Sequence, residues 1–237
     1  MSLNKQIHNI TQDLYIDYCG ISDLSSAKEF IINQGGNILE GFNYCISIGI
    51  ILPNSIVDQL PYRSNKAVAV NYRFHAYEII NSRLDYNASI ISSFIQKRGY
   101  NVMPIVAAER YDDERICAVF SHKLGAHLSG LGWIGKNCLL ITPRNGPRVR
   151  WASILTDAPL QATGEPMNEK CDDCLDCVTI CPVKAFSGRN FNHDEPREIR
   201  YDAQKCHDYF MGMKNERKVQ VCGMCLYACP HGMKQRI

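Results

Sequence analysis

Cys171-Asp-Asp-Cys174-Leu-Asp-Cys177-Val-Thr-Ile-Cys181-Pro182 decides how the last third of this chain folds, and Cys222-Gly-Met-Cys225-Leu-Tyr-Ala-Cys229-Pro230 answers it. A C-x-x-C-x-x-C run lets one tight loop wrap three thiolates around a [4Fe–4S] cubane, and a fourth cysteine followed by proline completes the bacterial type of run. In two-cluster ferredoxins that fourth cysteine ligates the other cluster. Crossing in this way assigns Cys171, Cys174, Cys177 and Cys229 to one cluster. Cys181, Cys222 and Cys225 go to a second, which lacks one ligand because Val219 and Gln220 stand where a full run would begin. Cys206, the remaining cysteine after residue 138, is the natural replacement. The competing readings are a zinc ribbon and a disulfide framework, but zinc sites usually show two separated C-x-x-C pairs.

The chain has 237 residues, too long for a bare ferredoxin and suited to one large domain plus a small one. Its net charge of +2 gives no general pull towards nucleic acid or membrane. Twelve cysteines would suggest a secreted disulfide scaffold only in a short chain behind a signal peptide. The N-terminal Met-Ser-Leu-Asn-Lys-Gln has no apolar signal region, and no apolar run approaches membrane-spanning length. The expected setting is cytoplasmic and reducing, where thiolates stay available for iron.

Upstream, Leu3, Ile7, Ile10, Leu14 and Ile16 recur at mostly helical spacing and predict a helix over 3–18. A short strand or turn at 19–23 and a helix over about 25–34, stopped by Gly35-Gly36, follow. Residues 44–53 are apolar and β-branched, as in a buried strand. The longest helix is expected over 72–98 and another buried strand over 102–108. Helices mixed with buried strands argue a layered α/β domain. Cys19 and Cys45 read as small buried hydrophobes, and His75 and His122 as surface or satisfied core residues more readily than ligands.

A short helix over 122–129 leads into Gly130-Leu-Gly-Trp-Ile-Gly-Lys-Asn137, with a strand expected at 138–141. Gly130, Gly132 and Gly135 match the letters of a dinucleotide fingerprint, but the helix precedes them and the strand follows, so that reading fails. Arg144, Arg148 and Arg150 form a basic loop, read either as a solvated hairpin tip or as a phosphate clamp built on guanidinium forks. A strand over 151–157 and a polar linker over 161–170 complete the upstream part.

The glycine-rich stretch, Ile154-Leu-Thr-Asp-Ala-Pro-Leu160 and the two cysteine runs with Cys206 between them resemble the epoxyqueuosine reductases and their relatives, the cobalamin-dependent reductive dehalogenases. The resemblance implies an α+β protein: a nitroreductase-like α/β cofactor domain over 1–162, then a small two-cluster ferredoxin-like domain over 163–237. It implies cobalamin as the second cofactor, with FMN as the alternative, since the same fold elsewhere holds flavin. Gly132, Trp133, Gly135, Lys136, Thr156 and Asp157, with Arg148 of the basic loop, are the cofactor contacts expected on this basis. The Cys206-containing cluster is expected beside the cofactor. The proton-donating aspartate of the family has no counterpart near Ile116, which leaves Tyr111 and Asp113 as the catalytic expectations. A ferredoxin or flavodoxin would serve as low-potential donor, and a small molecule or a protein-bound corrinoid would be the substrate. The near-neutral charge and the chain's end at Ile237, without the family's helical repeats, argue against tRNA. An electron-transfer or reductive-activation module for a partner protein is the alternative to an enzyme.

Overall fold

In the computed structural model, which describes residues 1–233, helices and strands are mixed along the chain. In order they are α1 (Leu3–Asp13), β1 (Tyr18–Asp23), α2 (Lys28–Gly35), β2 (Tyr44–Ile51), α3 (Asn54–Val57), α4 (Lys66–Arg73) and α5 (Ile80–Gln96). Next come β3 (Val102–Ile105), α6 (His122–Leu128), β4 (Trp133–Ile134), β5 (Leu140–Ile141), β6 (Val149–Thr156), α7 (Asp176–Thr179), α8 (Ala203–Asn215) and α9 (Met224–Tyr227). They gather into two compact units that do not follow chain order: one takes 1–50, 80–131 and 150–167, the other 51–79, 132–149 and the chain from 168 onward.

The first unit is built on a four-stranded sheet of order β1-β2-β6-β3, with β1 antiparallel to β2 and β3 antiparallel to β6. Cys45–Ile50 of β2 are buried without a break, which is why that stretch lacks the alternation of a half-solvated strand. Leu24, Ile31, Leu39, Cys45, Ile105, Phe120 and Leu155 make one apolar cluster in this unit. α5 buries Ile80, Leu84, Ala88, Ile91 and Ile95, spaced three or four apart along one face. α6 packs close against β1: a Cβ added at Gly20 would stand 2.6 Å from Ser129 Oγ.

α1 stops earlier than its periodicity suggests. Ser2 caps its start, Leu14 its end, and Tyr15 turns the chain with φ of 52°. The long helix also differs from expectation: helical structure begins at Lys66, capped by Asn65, and passes through a π turn at Phe74–Ile79 before α5.

In the second unit the glycine-rich stretch is half of a hairpin, with Trp133 opposite Ile141 and Ile134 opposite Leu140. β5 falls within the strand expected at 138–141, whereas the two-residue β4 is too short to show a period, so the sequence displays only a turn there. Gly132 is required by close approach, since an added Cβ would fall 2.2 Å from the Ile141 carbonyl oxygen. Gly132→Ala should therefore destabilise the protein by about 1–3 kcal/mol, the usual cost of overpacking, read as a lower midpoint in denaturant.

Candidate functional site

Cys171, Cys174, Cys177 and Cys229 line a single cavity in the second unit, together with Lys136, Asn137, Ile141, Pro230 and His231. The local chain explains how they meet. A turn closed by the Cys174 N–H on the Cys171 carbonyl, 2.8 Å, carries the first two, with Asp172 left-handed at φ 41°. Cys177 lies in α7, and Cys229 sits at the N-terminal end of the closing 3-10 turn Pro230–Gly232. The Cys171 N–H is held by a Glu169 carboxylate oxygen at 2.8 Å. Among the described residues no group of three His, Cys, Asp or Glu side chains is placed to hold a single metal ion; these four thiols surround a volume instead.

A second set gathers beside the first. Cys206 projects from α8, Cys225 from α9, Cys222 precedes the left-handed Gly223, and Cys181 follows α7. Burial and the charges of Cys222 and Cys181 push the Cys206 thiol up. Cys225 is raised well above the ordinary thiol value by burial, then by Cys222, Cys206, Cys177 and Cys181. In the first set burial and the charges of Cys171, Cys229 and Cys174 push Cys177 up to about 12. Cys229 is pushed up to about 11, again chiefly by burial. Thiolates crowded in this way repel one another, and a cationic group among them is what would hold all four ionised. The donor set thus fits iron–sulfur clusters.

Groups outside the cysteine runs reach the cysteine loops and, in two cases, their sulfurs. The Lys136 ammonium donates to the carbonyls of Asp172 at 2.5 Å and Cys174 at 3.3 Å, and Asn137 Nδ2 to that of Cys225 at 3.1 Å. The Cys222 thiol, raised by burial, is eased back down by the Met224 N–H and by the Arg63 guanidinium. The Tyr201 hydroxyl donates to Cys206. Neither Arg63 nor Tyr201 carries any sequence signal for this role, because nothing in local spacing brings residue 63 to residue 222.

The other expected site residues have partners of their own or face solvent. Arg148 is 1 % exposed, paired with Asp58 at 2.8 Å and bonded to Asn54 at 2.8 Å. In the first unit Thr156 Oγ1 donates to the Asn101 carbonyl at 2.7 Å, and the Asp157 carboxylate accepts from the Asn101 backbone and side chain at 2.9 and 2.6 Å. Tyr111 is 62 % exposed and Asp113 is turned to solvent near Arg110. His75 lies in the π turn with a buried Nε2 that makes no hydrogen bond.

His122 is satisfied by Ser153 Oγ at 2.9 Å and the Val106 carbonyl at 3.0 Å. Burial lowers its pKa from 6.5 to about 4, opposed by the Val106 carbonyl and assisted by the Arg150 charge. The unfolded chain takes up a proton that the native imidazole refuses. Stability contributed by the neutral ring is therefore full above pH 6.5 and is lost as the pH falls towards 4. His122→Gln should flatten the dependence of the denaturation midpoint on pH across that window.

Residues 170–232 match the 4Fe-4S double cluster binding domain, which gives the class of the second unit's chemistry. Beyond that domain the chain is similar to epoxyqueuosine reductases. It is 33% identical over 120 residues to the enzyme of Leadbetterella byssophila, covering 46% of this chain and 36% of that one. With the Lactococcus garvieae enzyme it shares 24% identity over 206 residues, 81% of this chain and 53% of the relative. The chain thus spans about a third to about half the length of these relatives. Among solved structures, an epoxyqueuosine reductase with a tRNA-Tyr epoxyqueuosine-modified stem loop matches 99% of this chain and 66% of its own, with a TM-score of 0.62 and 15% identity. A catabolic reductive dehalogenase matches 95% of this chain and 31% of its own, with a TM-score of 0.69 and 19% identity. The resemblance read from the sequence to these two groups therefore stands.

One expectation is overturned by these matches. Net charge and chain length argued against tRNA, yet the curated relatives are epoxyqueuosine reductases and a protein of this fold has been solved holding a modified tRNA stem loop. A chain-wide charge sum says nothing of where the cations lie, so it was a poor basis for excluding RNA. Among the described residues no helix is long and apolar enough to cross a membrane.

Proposed function

We propose that this chain is an iron–sulfur oxidoreductase of the epoxyqueuosine reductase type, in which two [4Fe–4S] clusters relay single electrons towards a reducible substrate. Cys171, Cys174, Cys177 and Cys229 would hold one cluster; Cys181, Cys206, Cys222 and Cys225 would hold the other. The observation that carries this reading is the interleaving of the two sets, in which Cys229 joins a cavity made by the first run while Cys206 comes in from α8. Cys225 feels the charge of Cys177 as well as those of its own set, so the two sites adjoin and an electron would have a short path between them.

The protein's own contributions are a buried, thiol-lined setting and donors aimed at the sulfurs, which set the potential of such clusters. A nitroreductase-like cofactor unit and a reducing cytoplasmic setting belong to the same proposal. A corrinoid is its second cofactor, on the likeness to a reductive dehalogenase whose structure suggests a mechanism for B12-dependent dehalogenation; when bound it would supply a cobalt centre able to take electrons one at a time. The side chains expected around it are engaged otherwise, Lys136 with the cysteine loop, Arg148 with Asp58, and Thr156 and Asp157 with Asn101. No step is assigned to them.

Titrating the anaerobically loaded protein with hydroxocobalamin, followed by EPR under mild reduction, tests the cofactor. Turnover of an epoxyqueuosine-modified tRNA stem loop tests the substrate. A Co(II) signal saturating near one equivalent together with product would establish the reading. Flavin absorbance in the protein as purified would favour FMN, and intact clusters with neither cofactor nor turnover would favour an electron-transfer module.

A further inference from the structure

One wall of the first cavity comes from the glycine-rich hairpin. Trp133 is 1 % exposed, yet its indole N–H makes no hydrogen bond of full geometry. The ring is held on two sides, edge-on to His231 with centroids 4.8 Å apart and beneath the Lys170 ammonium at 5.9 Å. So held, it faces the Cys171 sulfur. The Lys136 backbone N–H and the Trp133 indole N–H are both within reach of that sulfur as donors. A buried donor left unmade costs about 1–3 kcal/mol. A neutral thiol is a weak acceptor and gives little in return, whereas a thiolate is a charged and much stronger one. The position of Trp133 is therefore suited to a ligated Cys171.

Lys136 makes the same point through charge. It is 7 % exposed, donates to the Asp172 and Cys174 carbonyls, and pairs with no carboxylate among the described residues. A buried ammonium without a counter-charge is costly, and Lys136 lines the same cavity as Cys171, Cys174, Cys177 and Cys229, whose thiolates would supply one.

We propose that Trp133 and Lys136 are positioning residues that set the reduction potential of the cluster held by Cys171, Cys174, Cys177 and Cys229. Reduction adds one electron and neither makes nor breaks a bond. The indole N–H and the buried ammonium stabilise the added negative charge and raise that potential. The second set has different surroundings, Arg63 at Cys222 and Tyr201 at Cys206, so its couple responds separately. The inference rests on the two-cluster reading above.

It is tested by EPR-monitored potentiometric titration with dithionite on wild type, Trp133→Phe, Lys136→Met and Lys136→Arg, with iron measured on each sample. Trp133→Phe and Lys136→Met should each lower one midpoint at least tenfold in the reduced-to-oxidised ratio, which is about 59 mV for a one-electron couple. Lys136→Arg should stay close to wild type, and the other couple should not move in any variant. Fully loaded variants with unmoved couples would overturn the proposal, as would both couples shifting together. Should Trp133→Phe lose its iron, the pair of Lys136 variants still decides. A wild-type chain that holds one cluster, or zinc, is a separate failure, since it removes the two-cluster reading itself.

Discussion

Replacing Cys229 by alanine should lower the iron of the reconstituted protein from about eight to about four atoms per chain, the loss of one whole [4Fe–4S] cluster. The cavity geometry sets this expectation, because Cys229 faces the volume lined by Cys171, Cys174 and Cys177 although it belongs to the other run in sequence. Cys206→Ala should cost the same amount of iron through the other set, in which burial and the charges of Cys222 and Cys181 push the Cys206 thiol up. Pairing then separates the sets. Cys171→Ala with Cys229→Ala should still retain about four irons, whereas Cys171→Ala with Cys206→Ala should retain none. Iron and acid-labile sulfide assays, with EPR of the reduced samples, check each variant. If the Cys171/Cys229 pair empties both sites, the crossed assignment fails.

Arg148→Ala should cost about 3 kcal/mol of stability. Removing one partner of a buried ion pair generally costs about 3–5 kcal/mol. The low end applies here because Asp58 keeps 29 % of its side-chain exposure and can recover water. The guanidinium also fills space against the closing turn, since a Cβ added at Gly232 would lie 2.8 Å from Arg148 Nε. The loss should appear as a lower denaturation midpoint with an unchanged slope. Arg144, exposed in the same loop, should change stability by no more than about 0.5 kcal/mol when replaced by alanine. Unchanged stability in Arg148→Ala, accompanied by loss of phosphate or cofactor binding, would return the loop to the reading of an anion clamp.

The double-cluster domain was legible because ligand spacing is a local property. C-x-x-C-x-x-C constrains one loop whatever the rest of the chain does, and the double-cluster match over 170–232 follows the same residues. Strand β2 was legible for a related reason, since an unbroken β-branched run has few places to go but the middle of a sheet. The donors around the sulfurs were not. Arg63 reaches Cys222 from the far side of the sequence, and Trp133 and Lys136 carried a family resemblance that pointed towards a different cofactor. β5 lies within the strand expected at 138–141, but its partner β4 escaped because two residues cannot show a period. The compact units were hidden as well, because segments 51–79 and 132–149 join the cysteine-bearing part through contacts, which chain order does not reveal.

The measurement that bears most directly on the central claim is iron and acid-labile sulfide per chain after anaerobic reconstitution, with zinc determined on the same sample. Two interleaved cysteine sets predict about eight irons and about eight sulfides with no zinc. About four of each, or zinc in place of iron, would contradict the account.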